Sequence, residues 1–66
     1  MEDELDLIRR RLDMLPMVPR AVFLLHRIDG LDYAAIAWRL GIDARAVERH
    51  MARALYVLAF GPRGDG

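Results

Sequence analysis

The sequence predicts an all-α fold of four short helices, of which the last two form a helix-turn-helix. Three observations point to this fold. Apolar residues recur at spacings of three and four along four stretches, glycines and prolines fall between those stretches, and no stretch alternates apolar with polar residues as a half-buried strand would. The 66 residues suffice for one small domain. We expect this domain to occupy residues 1–60, followed by a flexible tail over residues 61–66.

The first predicted helix runs from about Glu2 to Met14. Acidic residues crowd its start, where negative charge suits the positive end of the helix dipole. Apolar residues at spacings of three and four then place one apolar stripe along the helix. The residues expected to face inward are Leu5, Ile8, Leu12 and Leu15.

Two prolines, Pro16 and Pro19, separate the first helix from the second. Proline breaks a helix interior but is well tolerated at the first helical position. We therefore predict a second helix from about Val18 to Ile28, with Gly30 just past its end. The residues expected to face inward are Val22, Leu25 and Ile28.

Two aspartates predict the starts of the last two helices, because an aspartate side chain can cap free backbone N–H groups. Asp32 precedes a third helix that Gly41 ends, and Asp43 precedes a fourth helix from about Ala44 to Leu58. The third helix is expected to turn inward Tyr33, Ile36, Ala37 and Leu40. The fourth is expected to turn inward Val47, Met51, Ala54, Leu55 and Leu58.

The connection between these two helices has the features that a helix-turn-helix requires. Two helices that cross steeply over a short turn need a small residue at the crossing, and Ala37 supplies it. The turn needs a residue that tolerates positive φ, and Gly41 supplies it. Apolar anchors on both sides of the turn are Ile36, Leu40, Ile42 and Val47.

The outward face of the fourth helix carries a row of basic residues, Arg45, Arg49 and Arg53, with Tyr56 after them. An outward row of arginines is usually only solvated surface. On the second helix of a helix-turn-helix, however, such a row favours contact with nucleic acid. There an arginine can bond both acceptors of a guanine or hold a phosphate. Ala44 and Ala46 are small enough to allow close approach. Glu48 either accepts a hydrogen bond from a cytosine amine or pairs with Arg45 or Arg49.

Composition excludes several classes of function. The chain has no cysteine, its two histidines lack metal-ligand spacing, and no nucleophile with a partner base stands out, so we expect no enzyme, metal or cofactor. The longest apolar runs fall short of a membrane span, and a cytoplasmic protein is expected. Net charge is zero, but the charges are unevenly placed, with acids gathered at the N-terminus. Six arginines against four acids lie between Arg20 and Phe60.

Several segments together resemble region 4 of the sigma-70-type RNA polymerase sigma factors, within the extracytoplasmic-function group and nearest its iron-uptake type. The resemblance covers about Leu5 to Leu58. The segments that carry it are Leu15-Pro16, Arg20-Ala21-Val22-Phe23-Leu24-Leu25, Asp29-Gly30-Leu31-Asp32-Tyr33-Ala34-Ala35-Ile36-Ala37, Leu40-Gly41-Ile42 and Val47-Glu48-Arg49-His50.

The resemblance implies a domain that recognises the promoter −35 element of double-stranded DNA through its last helix. It also implies docking on the β flap of the RNA polymerase core. By position, the DNA-facing residues would be Arg45, Ala46, Glu48, Arg49 and Arg53. The surface for the polymerase or another partner would include Met17, Val18 and Phe23.

Two alternatives stay open at this point. Region 2 of sigma factors is missing from the chain, which is therefore either an excised domain or a freestanding module. A freestanding module could act through protein contacts, with an anti-sigma factor, the polymerase flap or a second copy as its partner. A LuxR-type DNA-binding output domain shares Val47 followed by His50 three residues later, but Tyr33 after Asp32 favours the sigma family.

Overall fold

The computed structural model describes residues 3–61, and the predicted all-α fold is confirmed. Four helices follow one another, and no strand occurs within that range: α1 (Glu4–Asp13), α2 (Met17–Arg27), α3 (Tyr33–Leu40) and α4 (Ala44–Phe60). The predicted start of the first helix at Glu2 and the predicted tail beyond Gly61 fall outside the described residues.

Three of the four helices begin on an aspartate cap. Asp32 Oδ1 accepts a hydrogen bond from the backbone N–H of Ala35 at 2.8 Å, and Asp43 Oδ1 accepts one from Ala46 at 2.7 Å. Both caps were predicted from the sequence. Asp3 plays the same role for α1, accepting from the N–H of Asp6 at 2.9 Å. Each cap satisfies one of the N–H groups that a helix start leaves without a partner.

The start of α2 is built differently. Its N-cap is Pro16, which makes no side-chain capping bond, and Pro19 is the third residue of the helix. Proline lacks an N–H, but the first-turn N–H groups have no acceptor within a helix, so its loss there breaks no helical bond. The helix therefore begins at Met17, one residue before the predicted start, and both prolines fit.

The core consists of two adjoining clusters, with α4 contributing to both and packing against each of the other helices. Phe23 of α2 packs against both clusters and joins them. The first cluster, behind the helix-turn-helix, is Val22, Ile36, Val47 and Met51. The second, where α1 meets the later part of α4, is Leu15, Ala54 and Val57.

Four residues predicted to face inward are exposed instead. Leu5 and Ile8 of α1 are exposed, and α1 contributes no buried residue at all. Their periodicity is correct for a helix, but among the described residues no other helix covers that end of the stripe. Ile28 lies at the very end of α2, where the core stops, and is exposed as well. In α4 the second cluster takes in Val57 rather than the exposed Leu55.

Arg11 ties α1 to the end of α4. Arg11 Nη1 donates a hydrogen bond to the carbonyl oxygen of Leu58 at 2.9 Å, and its guanidinium lies beside Gly61, the C-cap. The carbonyl groups in the last turn of a helix find no N–H donor within the helix, so the Arg11 guanidinium supplies one. Its positive charge also interacts favourably with the negative end of the helix dipole.

We expect Arg11→Met to lower the free energy of unfolding by about 1–2 kcal/mol, because the charged hydrogen bond is lost while the aliphatic stem is kept. Urea unfolding followed by circular dichroism measures this. Arg9→Met, an exposed position on the same helix, is the matched control. Equal stabilities for the two variants would show that the hydrogen bond between Arg11 and Leu58 contributes nothing to the free energy of unfolding.

The turn between α3 and α4 depends on Gly41. Its φ of 71° and ψ of 30° lie in the left-handed region, and the N–H of Ile42 donates to the carbonyl oxygen of Ala37 at 3.0 Å. A Cβ at Gly41 would meet nothing within 4 Å, so the requirement for glycine comes from the backbone angles and not from space.

Gly41→Ala should therefore lower the free energy of unfolding by about 1–2 kcal/mol, the cost of holding a Cβ-bearing residue in this region. Gly41→Asn should lose less, because asparagine tolerates the left-handed conformation better. Thermal and urea unfolding of both variants would test this ranking. An alanine variant as stable as the wild type would contradict the backbone explanation.

Candidate nucleic-acid interface

The exposed face of α4 presents a continuous row of arginines. Arg45, Arg49 and Arg53 are all exposed, at spacings of four residues. Successive members lie ~6 Å apart along the helix axis, so the row extends over ~12 Å. The Asp43 cap and the Gly41 turn set where this helix starts and how it leaves α3. The row thus lies on the second helix of a helix-turn-helix.

These arginines have no acidic partner within residues 3–61. Within that range an ion pair joins Arg20 to Asp13 at 4.0 Å, and neither of these residues lies on α4. Glu48 is exposed on α4 but pairs with neither Arg45 nor Arg49. Of the two roles expected for Glu48, the ion pair is therefore not formed. The guanidinium groups remain available to phosphates and base edges.

Ala46 does not belong to this face. Its side chain is only 8% exposed, and its N–H is bound to the Asp43 cap. This burial does not favour contact between its methyl group and DNA, because the helix turns this position toward the core beside Val47. Ala44 is the small, exposed residue that lies next to Arg45.

The three residues predicted for a partner surface separate into two kinds. Met17 is 75% exposed, and Val18 is exposed beside it on the first turn of α2. Phe23 is half-buried and packs against both core clusters. Truncating Phe23 would damage the core, so we leave it out of the candidate surface.

The structure brings the two predicted surfaces together. A groove of about 600 Å³ lies where the first turn of α2 meets the middle of α4. Sequence reasoning treated the arginines and the Met17–Val18 pair as separate sites, because about thirty residues separate them in the chain. It did not include His50 among the DNA-facing or partner-facing residues. We call this the basic groove; its lining residues are Pro16, Met17, Val18, Pro19, Arg49, His50 and Arg53.

Within residues 3–61, no group of three or more histidine, aspartate or glutamate side chains is placed to hold a metal ion. None of the helices in that range has the length and apolar character that crossing a membrane requires.

Comparison with known proteins shows the family of this chain. The family model for sigma-70, region 4 matches residues 5–58. The ferric citrate uptake sigma factor FecI of Escherichia coli (strain K12) is 38% identical over 53 residues, which cover 80% of this chain and 31% of that relative. The chain thus spans about a third of the length of this relative. No solved structure matches the chain significantly. The chain belongs to the sigma-70 region 4 family, and it is a DNA-binding helix-turn-helix domain of transcription initiation, not an enzyme.

Proposed function

We propose that this domain recognises a promoter −35 element by placing α4 in the major groove of DNA. The observation that carries the proposal is the row of exposed, unpaired arginines on the second helix of the helix-turn-helix. Residues near the start of such a helix reach base edges, whereas later ones meet the backbone. Arg45 and Arg49 are therefore assigned to bases and Arg53 to a phosphate.

Glu48 has a specific place in this proposal. It is exposed between Arg45 and Arg49 and forms no ion pair with either. A free carboxylate next to DNA repels phosphates, but it can accept a hydrogen bond from the N4 amine of cytosine. An arginine bound to guanine and Glu48 bound to cytosine could then contact neighbouring base pairs.

We further propose that Met17 and Val18 dock on RNA polymerase. Both are apolar and exposed, and the basic groove places them next to the DNA-reading arginines. A polymerase element that bound Met17 and Val18 but left the arginine side of the groove open would hold the domain against the promoter. An anti-sigma factor could bind the same surface and would then block both contacts. This function places the chain in the cytoplasm, where promoter DNA and polymerase meet.

Salt dependence of DNA binding tests the main proposal. Each phosphate that the protein neutralises should lower the logarithm of the association constant by about 0.9 per tenfold rise in salt. Fluorescence anisotropy with a labelled −35-type duplex and with a scrambled duplex would measure both the slope and the sequence preference. We expect a clear negative slope and tighter binding to the −35-type duplex. A flat salt response would indicate a module that acts only through protein contacts.

A further inference from the structure

The arginine row on α4 is followed by two exposed aromatic residues. Tyr56 is 48% exposed and Phe60 is 73% exposed. Tyr56 lies three residues after Arg53, and Phe60 lies four residues after Tyr56. Residues at these spacings share one face of a helix, so both rings continue the face that holds the arginines. From Arg45 to Phe60 this face is ~22 Å long, with guanidinium groups first and aromatic rings at its end.

The two rings contact each other outside the core. Their centroids are 5.1 Å apart, and their planes are inclined by 48°. Neither Tyr56 nor Phe60 belongs to the two clusters that form the core. Scattered single apolar residues are ordinary on a protein surface, whereas a contacting pair that extends a DNA-binding face offers aromatic surface to a ligand.

We propose that Tyr56 and Phe60 stack on an unpaired base of single-stranded DNA, whose phosphates the arginine row holds. Sites for single strands combine basic groups that follow the backbone with aromatic rings on which bases stack. Both parts are present on α4, because Arg45, Arg49 and Arg53 are exposed and have no acidic partner within residues 3–61. Arg53 and Tyr56 lie about one helical turn apart, so a phosphate and a base of the same strand are held side by side.

The arrangement selects a single strand as the ligand. In a duplex the bases are stacked on one another, and an aromatic side chain reaches a base face only where the base is unpaired or extruded. A protein partner would cover the rings without using the arginines that precede them. The chain belongs to a DNA-binding family, and we therefore assign the strand as DNA. Stacking does not rest on recognition of a −35 element, so its test contains no duplex and the two proposals can fail separately.

Two oligonucleotides that differ only in their bases test the site. Fluorescence anisotropy measures binding of the full 66-residue chain to a labelled single strand of roughly 12 thymidine nucleotides. The second strand has the same length and the same phosphates but abasic sugars throughout. The wild type should bind the thymidine strand about 5- to 150-fold more tightly, because only that strand offers bases to the rings. Equal affinities would overturn the proposal, since the phosphate contacts would then account for all of the binding.

Variants assign this preference to the aromatic pair. The double variant Tyr56→Leu, Phe60→Leu keeps apolar side chains but removes both rings, and it should bind the two strands almost equally. Phe60→Tyr keeps both rings and should retain the preference. Trp38→Leu is the matched control, because it removes an aromatic ring that is 86% exposed on α3, outside the row.

The control should prefer the thymidine strand as strongly as the wild type does. Circular dichroism shows whether each variant is folded. A folded double variant that keeps the full preference would contradict the proposal. A Trp38→Leu or Phe60→Tyr variant that loses the preference would do the same, because the base would then stack elsewhere or not at all.

Discussion

Replacing Ile36 with alanine should unfold most of the protein. Ile36 is fully buried at the centre of the first core cluster, where it joins α3 to α2 and α4. Removing three buried carbon atoms costs the lost burial and leaves a cavity, together about 2–5 kcal/mol. A domain of this size has a stability at or below the lower end of the range of about 5–15 kcal/mol for folded proteins, so a loss of this size approaches the whole of it.

Urea and thermal unfolding followed by circular dichroism would measure this loss. Ile28→Ala is the matched control, because it makes the same chemical change at a residue that is 71% exposed at the end of α2. It should change the free energy of unfolding by roughly 0.5 kcal/mol or less. If the two alanine variants were equally stable, the position of the core described here would be wrong.

Replacing Arg49 with alanine should weaken binding to a −35-type duplex by about 1–3 kcal/mol, which corresponds to roughly 5- to 150-fold in affinity. Arg49 occupies the middle of the arginine row, is exposed, and has no acidic partner within residues 3–61. The fold should therefore tolerate its removal. The loss comes from hydrogen bonds to DNA and not from instability of the domain.

The size of the loss on two duplexes tells which contact Arg49 makes. A base contact should cost more on the −35-type duplex than on a scrambled one, whereas a phosphate contact should cost the same on both and reduce the salt slope by about 1. Arg27→Ala, which removes an equal charge at the far end of α2, controls for general electrostatic attraction. An Arg49→Ala variant that stays folded and binds both duplexes with unchanged affinity would remove Arg49 from the interface.

The sequence alone was sufficient wherever the signal was local. The Asp32 and Asp43 caps, the left-handed Gly41 and the packing of Tyr33, Ile36 and Leu40 all agree with prediction. Caps and tight turns act over three or four residues, so their physical cause is contained in the segment itself. Because these signals are local, the short segments around the turn were enough to indicate the family, which the comparisons then established.

What covers each helix could not be predicted in the same way. Periodicity shows that Leu5 and Ile8 share a face, but only the packed structure shows that no other helix of residues 3–61 covers it. Whether Phe23 is surface or core likewise depends on two clusters formed by residues distant in sequence.

The sequence by itself determined four helices, the Asp32 and Asp43 caps, the turn and the arginine row on α4, because each follows from short-range hydrogen bonding and helical spacing. Only the tertiary structure decided that Ala46 faces the core, that α1 keeps an uncovered apolar stripe, and that Met17 lies in one groove with Arg49. These outcomes depend on how whole helices pack against one another. Such packing joins residues about thirty positions apart, which no local pattern records.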